Sequence, residues 1–102
     1  MVIIPTMEQV YPQVWAQTLR RRPALQAERW DLTLPNRRLA DILRRNRIPY
    51  LDLLPVFREA AARPGAPLLY LPRNQHWNES GHRLAGDAVF DFVRESGLLP
   101  GE

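Results

Sequence analysis

Apolar residues along this chain follow two alternating rhythms. Val2-Ile3-Ile4-Pro5, Ile48-Pro49-Tyr50-Leu51-Asp52 and Leu68-Leu69-Tyr70-Leu71 are short, nearly unbroken apolar runs, the pattern of buried parallel strands. Elsewhere the apolar positions recur at helical spacing. Val10, Val14, Trp15, Thr18 and Leu19 predict a helix over 7–21, disturbed at Pro12, with Thr6 and Gln9 spaced as a capping box and Arg20 to Arg22 at the end that favours cations. Residues 23–34 have no clean period, despite Leu25 and Trp30, and read as an irregular surface connection. Leu39, Ile42 and Leu43 predict a second helix over 35–46, with Thr33 as its cap and Pro35 in its first turn. Asp52 is placed to cap a third over 53–63, and Arg63-Pro64-Gly65-Ala66-Pro67 is a turn cluster. The last helix, 79–96, carries its stripe on Leu84, Ala85, Ala88, Val89, Phe92 and Val93 and stops at Gly97.

Strands separated by helices predict βαβ units and hence an α/β fold. The expectation is a parallel sheet with strands near 2–5, 49–52 and 68–71, right-handed crossovers, and the last helix packed on the sheet. Three strands are few for a parallel sheet, whose faces and edges need cover. The chain, one domain over 1–102, therefore reads as the C-terminal half of a larger α/β domain. An uncovered edge on the first strand predicts self-association, with a symmetric dimer over that strand as the preferred arrangement.

Composition changes this picture little, but it excludes several chemistries. The absence of cysteine removes disulfides, thiolate metal sites and a cysteine nucleophile, and leaves the compartment open. No apolar run approaches the roughly 18 residues of a membrane span. The start, Met1 to Pro5, lacks the charged beginning and long apolar centre of a signal peptide, so localisation is unassigned. Formal charge is +3, and all 14 basic residues are arginine. Arg20 to Arg22, Arg37, Arg38, Arg44, Arg45 and Arg47 fall on polar helix faces with no stacking aromatics between them, which argues for solvated surfaces and against a nucleic-acid partner.

Candidate chemistry gathers in Arg73-Asn74-Gln75-His76-Trp77-Asn78-Glu79-Ser80-Gly81-His82-Arg83, between the third predicted strand and the last helix. Ligands of open α/β sheets sit at the carboxyl ends of strands, so His76 is well placed for proton transfer near neutral pH. His82 lies six residues on, where a helical metal pair needs three or four, and no third ligand is near; no metal or cofactor is expected. On the edge of the last helix's stripe, His82 reads as a packed or capping residue. Asn78 is placed to cap that helix.

The segment Asn74-Gln75-His76-Trp77-Asn78-Glu79-Ser80-Gly81-His82 resembles the final block of the SGNH (GDSL-type) hydrolases, in the variant Asp-x-His-Trp-Asn-x-x-Gly-His. Ile4 to Tyr11, Asn36 to Ala40 and Leu51 to Leu53 are similar to the second half of members of that group. The resemblance implies a three-layer α/β/α, flavodoxin-like fold, of which this chain supplies about three parallel strands. It implies a serine ester hydrolase acting on acylated or acetylated carbohydrate or lipid, with His76 as general base, Asn74 beside it at the position of the acid, and Trp77 and Asn78 on the substrate. The block is also similar to that of alginate O-acetyltransferase relatives. This chain departs from the family by having Asn74 where the acid stands, and by lacking the Gly-Asp-Ser and oxyanion blocks; Ser80 and Ser96 are its only serines. Asp52, at the end of its strand, is the alternative acid. The expectations are thus a portion of an ester hydrolase, inactive alone, or a carbohydrate- or partner-binding remnant, or an acetyltransferase-like half. Each works as a homo-oligomer or with a missing N-terminal half.

Overall fold

The computed structural model describes residues 1–72 and 76–98. Strand β1 (Val2–Ile3) pairs in parallel with β2 (Leu51–Asp52), Val2 opposite Leu51 and Ile3 opposite Asp52. The crossover between them runs through α1 (Met7–Val10), α2 (Pro12–Arg21), a 3₁₀ turn (Pro23–Ala27) and α3 (Leu34–Arg45). Helix α4 (Leu53–Ala62) follows β2 directly, and α5 (Glu79–Glu95) ends the described fold. Strand β1 is shorter than its apolar run because Pro5 has no amide hydrogen for the ladder and Leu53, opposite Ile4 in this register, already opens α4.

The fold is mainly helical, at 61%, and among the described residues its sheet has two short strands. This corrects the expected α/β fold, a three-layer α/β/α, flavodoxin-like domain with about three parallel strands. The third predicted strand is where they part. Tyr70 bridges Trp77 in antiparallel sense, Leu71 N–H donates to the His76 carbonyl (2.9 Å), and Asn78 N–H donates to the Leu69 carbonyl (2.9 Å). The backbone of 69–71 is thus paired with residues just ahead of α5 in place of the sheet. Accordingly Leu69 and Tyr70 are buried while Leu68 and Leu71 are exposed, which fits neither a sheet-core strand nor strict alternation.

Local chemistry explains the helix boundaries. The predicted helix over 7–21 breaks in two at Tyr11 (φ −113°, ψ 108°), since Pro12 disfavours a helical residue before it and itself opens α2. Thr6 and Gln9 form the capping box as expected, and Asp52 accepts from Leu54 N–H (3.0 Å). Thr33 does not cap α3. It stands at the N-cap position without a side-chain capping bond, and its hydroxyl donates to Asp31 Oδ1 (2.6 Å).

The main core gathers Val10, Tyr11, Leu53, Leu54, Phe57, Leu69, Tyr70 and Ala85. A smaller cluster, Ile3 with Ala40 and Leu43, packs α3 on the other face of the strands. Successive residues of β1 therefore serve opposite sides, Val2 the main core and Ile3 the α3 side. The first part of the α5 stripe, Leu84, Ala85 and Ala88, lies on the main core, with α4 as its neighbour. A polar relay ties α1 and α3 to the end of β2. Gln9 Nε2 donates to the Leu32 carbonyl (2.6 Å) and to Asn36 Oδ1 (2.8 Å), and Asn36 Nδ2 donates to Asp52 Oδ1 (3.0 Å). Buried Asn36 is thereby satisfied at both ends of its amide.

Candidate functional site

The antiparallel ribbon sets the direction of every side chain near His76. Bridge partners share a face, so Tyr70 and Trp77 point together into the core, and His76, next along, is turned outward and exposed. Trp77 stacks tilted on buried Phe57 (ring centroids 5.3 Å), Phe57 meets Tyr70 edge-on (6.1 Å), and Tyr70 meets Tyr11 edge-on (6.0 Å). This aromatic floor fixes the tryptophan beside the histidine. The Tyr70 hydroxyl donates to the Pro5 carbonyl (3.0 Å), tying the ribbon to the carboxyl end of β1. Burial pushes that hydroxyl's pKa up to about 12, against a hydrogen bond from the Trp77 side chain that lowers it.

Asn78 locks the ribbon to α5. Its Oδ1 accepts from Gly81 N–H (2.9 Å), and its Nδ2 donates to the Leu68 carbonyl (2.6 Å). The amide is committed to backbone, which is a capping role. Gly81 is required by the same close approach, because a Cβ there meets the Leu69 carbonyl oxygen at 2.2 Å and the Trp77 Cβ at 3.0 Å.

A shallow pocket of about 230 Å³ opens over this floor, lined by Ile4, Pro5, His76, Trp77 and His82. It lies just past the carboxyl end of β1, where parallel strands present ligand sites. The sequence did not reveal Ile4 and Pro5 as walls, since they lie some seventy positions away; a proline closing a strand was the available signal. His82, expected as packed or capping, meets the edge of Trp77 (5.5 Å), yet stays exposed and faces the same pocket as His76. Asn74, expected beside the histidine, falls at 73–75, outside the described residues.

The other candidates lie elsewhere. Ser80, on the first turn of α5, borders a different cavity with Arg63, Arg83 and Asp87, and Ser96 follows the last residue of α5. Asp52 is held by Asn36 and the α4 amide and does not line the histidine pocket. Among the described residues no three histidine, cysteine or acidic side chains cluster as metal ligands.

A larger groove, about 910 Å³, does not contain His76. It is walled by Tyr11, Trp15 and Trp30 with Gln13, Arg58 and Asp31 at its polar margin. Trp30 reaches it from the irregular 23–34 segment, packed edge-on to Trp15 (6.1 Å) and donating Nε1–H to the Leu25 carbonyl (2.7 Å). Hydrogen bonds from the Thr33 hydroxyl and amide hold the Asp31 carboxyl below its ordinary pKa, with Arg37 beside it adding to the effect. No helix among the described residues is long and apolar enough to cross a membrane. Comparison with family models, with curated proteins and with solved structures finds no match for this chain.

Proposed function

We propose that this chain carries the proton-accepting part of a serine ester hydrolase or acyl-transfer centre, with His76 as the base. One observation carries the reading: His76 faces an open pocket of about 230 Å³ at the carboxyl end of β1, beside a tryptophan held by the core. The resemblance of the 74–82 block to the SGNH hydrolases supports it. In this reading the imidazole takes the proton of a serine hydroxyl as that oxygen bonds to the ester carbonyl carbon, then returns it to the leaving alcohol. The pocket's size suits a small acyl group such as acetyl, so an acetylated carbohydrate or lipid is the substrate class. Neither Ser80 nor Ser96 reaches the pocket, so the serine and the oxyanion donors come from a companion segment. The chain works as a homo-oligomer or with that companion, and nucleic acid has no part.

Asn74 occupies the sequence position of the family's acid. An amide orients an imidazole but does not stabilise imidazolium as a carboxylate does. In the protein completed by the serine-bearing segment, Asn74→Asp raises the single-turnover acylation rate, by up to ~10⁴-fold, and His76→Ala abolishes it. Undiminished acylation by the His76→Ala protein sinks the proposal.

A carbohydrate-binding role is the second reading, favoured by the Tyr11, Trp15 and Trp30 walls of the larger groove. Quenching of tryptophan fluorescence by an oligosaccharide, lost in Trp30→Ala, distinguishes it.

A further inference from the structure

We infer that the open edge of β1, with the apolar surface of Ile4, Leu39 and Ile42 beside it, is the interface of a twofold dimer in which the β1 strands of two copies pair antiparallel. The inference needs no chemical step at His76, although Ile4 borders both the His76 pocket and this patch. It starts from register: Leu51 N–H donates to the Met1 carbonyl (2.9 Å), so the backbone groups of residues 1 and 3 face β2. Those of Val2 and Ile4 face the other way, and among the described residues no strand lies on that side. Such a row of unpaired N–H and C=O groups is a template for pairing with another extended chain. A twofold axis presents each copy with an identical, self-complementary one and turns a sheet of two strands into one of four.

Side chains extend the patch beyond the backbone. Ile4 is 64%, Leu39 37% and Ile42 48% exposed. Ile4 and Leu39 border one apolar hollow of about 560 Å³ with Leu25, Trp30 and Leu32, and Ile42 follows Leu39 by one turn on the same side of α3. Its polar lining is bonded locally: Thr6, Gln9 and Asn36 to one another, and Asp31 to Thr33 and Arg37. Three of the neighbouring arginines have local partners. Arg37 is paired with Asp31, Arg45 with Asp41 (3.0 Å), and Arg44 donates to the Tyr50 hydroxyl (3.0 Å).

The area agrees. The chain exposes 7581 Å² at 11.9 kDa, whereas a compact monomer of that mass exposes about 5,900 Å². Its radius of gyration is 15.6 Å, against about 13 Å for a compact chain of this length. The surplus belongs to the chain as a whole, and it leaves room for an interface of the size that permanent dimers bury.

Sedimentation velocity and light scattering on the purified chain test the inference. The expected particle has twice the 11.9 kDa chain mass. Ile4→Asp and Ile42→Asp weaken the dimer about tenfold or more with unchanged far-UV circular dichroism, and Phe90→Asp, at an exposed position on α5, leaves it intact. The melting temperature of the wild-type chain rises with protein concentration, a readout that needs no variant. A wild-type monomer at micromolar concentration, a dimer indifferent to both isoleucine variants, or open-ended polymers would each overturn it. The monomer outcome would hand this face to the companion segment.

Discussion

Two glycines of α5, five positions apart, should respond to alanine in opposite directions. A methyl group on Gly81 lands 2.2 Å from the Leu69 carbonyl oxygen, about 1 Å inside the 3.3–3.6 Å at which carbon and carbonyl oxygen meet. The obstacle is backbone and cannot swing aside. To make room, the first turn of α5 must retreat from the ribbon, which loosens the bonds from Asn78 to Gly81 and to Leu68. Overpacking costs about 1–3 kcal/mol and a weakened cap about 1 kcal/mol, against a gain of about 1 kcal/mol in helix propensity. The net loss is about 1–3 kcal/mol. At Gly86 nothing lies within 4 Å of the added carbon, so only the propensity gain remains, about 0.5–1 kcal/mol. Urea unfolding of the two variants at fixed protein concentration, with m unchanged, gives both numbers. A Gly81→Ala chain as stable as wild type refutes the close approach of α5 to the ribbon, and with it the geometry assigned to the His76 pocket.

Further outcomes follow from the same contacts. Asn78→Ala removes a helix cap and the tie to Leu68, and should cost about 1–2 kcal/mol while speeding hydrogen exchange at the Leu71 and Asn78 amides; unchanged exchange there would deny that Asn78 holds the ribbon. Tyr70→Phe strands the buried Pro5 carbonyl and should cost about 1–3 kcal/mol. Because the folded Tyr70 pKa is raised from 10.0 to about 12, its contribution is complete below pH 10 and declines as pH rises through 12; Tyr70→Phe should remove that decline, which a stability profile across alkaline pH checks. The isolated chain should hydrolyse p-nitrophenyl acetate no faster than free imidazole, and a turnover that His76→Ala abolishes would reveal a nucleophile within this sequence.

The helices were largely legible because their boundaries are written locally. Thr6 with Gln9, Asp52, Asn78 and Gly97 each act within a few residues of themselves, and Pro12 breaks a helix through its own ring. Thr33 shows the limit of that logic, since Asp31, two residues away, captured its hydroxyl. The sheet was less legible because pairing depends on distant partners. Leu68 to Leu71 has strand composition, but composition does not say that its partner is Trp77 and not β1. At the candidate site, the position of His76 between an apolar run and a helix was readable, but its outward turn was not. The wall formed by Ile4 and Pro5, the turn of His82 toward the same pocket, and the burial of Asn36 between Gln9 and Asp52 all depend on tertiary packing that no local pattern encodes.

The central claim is that the pocket over Trp77 receives a small ester with its reacting group beside His76. Proton and nitrogen NMR of the chain, titrated with ethyl acetate, tests it directly. The expected result is a saturable shift of the His76 and His82 ring resonances and the Trp77 indole signal with one shared dissociation constant, and no response from Trp15 or Trp30 in the larger groove. Shifts confined to Trp15 and Trp30, or no saturable shift at His76 up to the solubility of the ester, would contradict it.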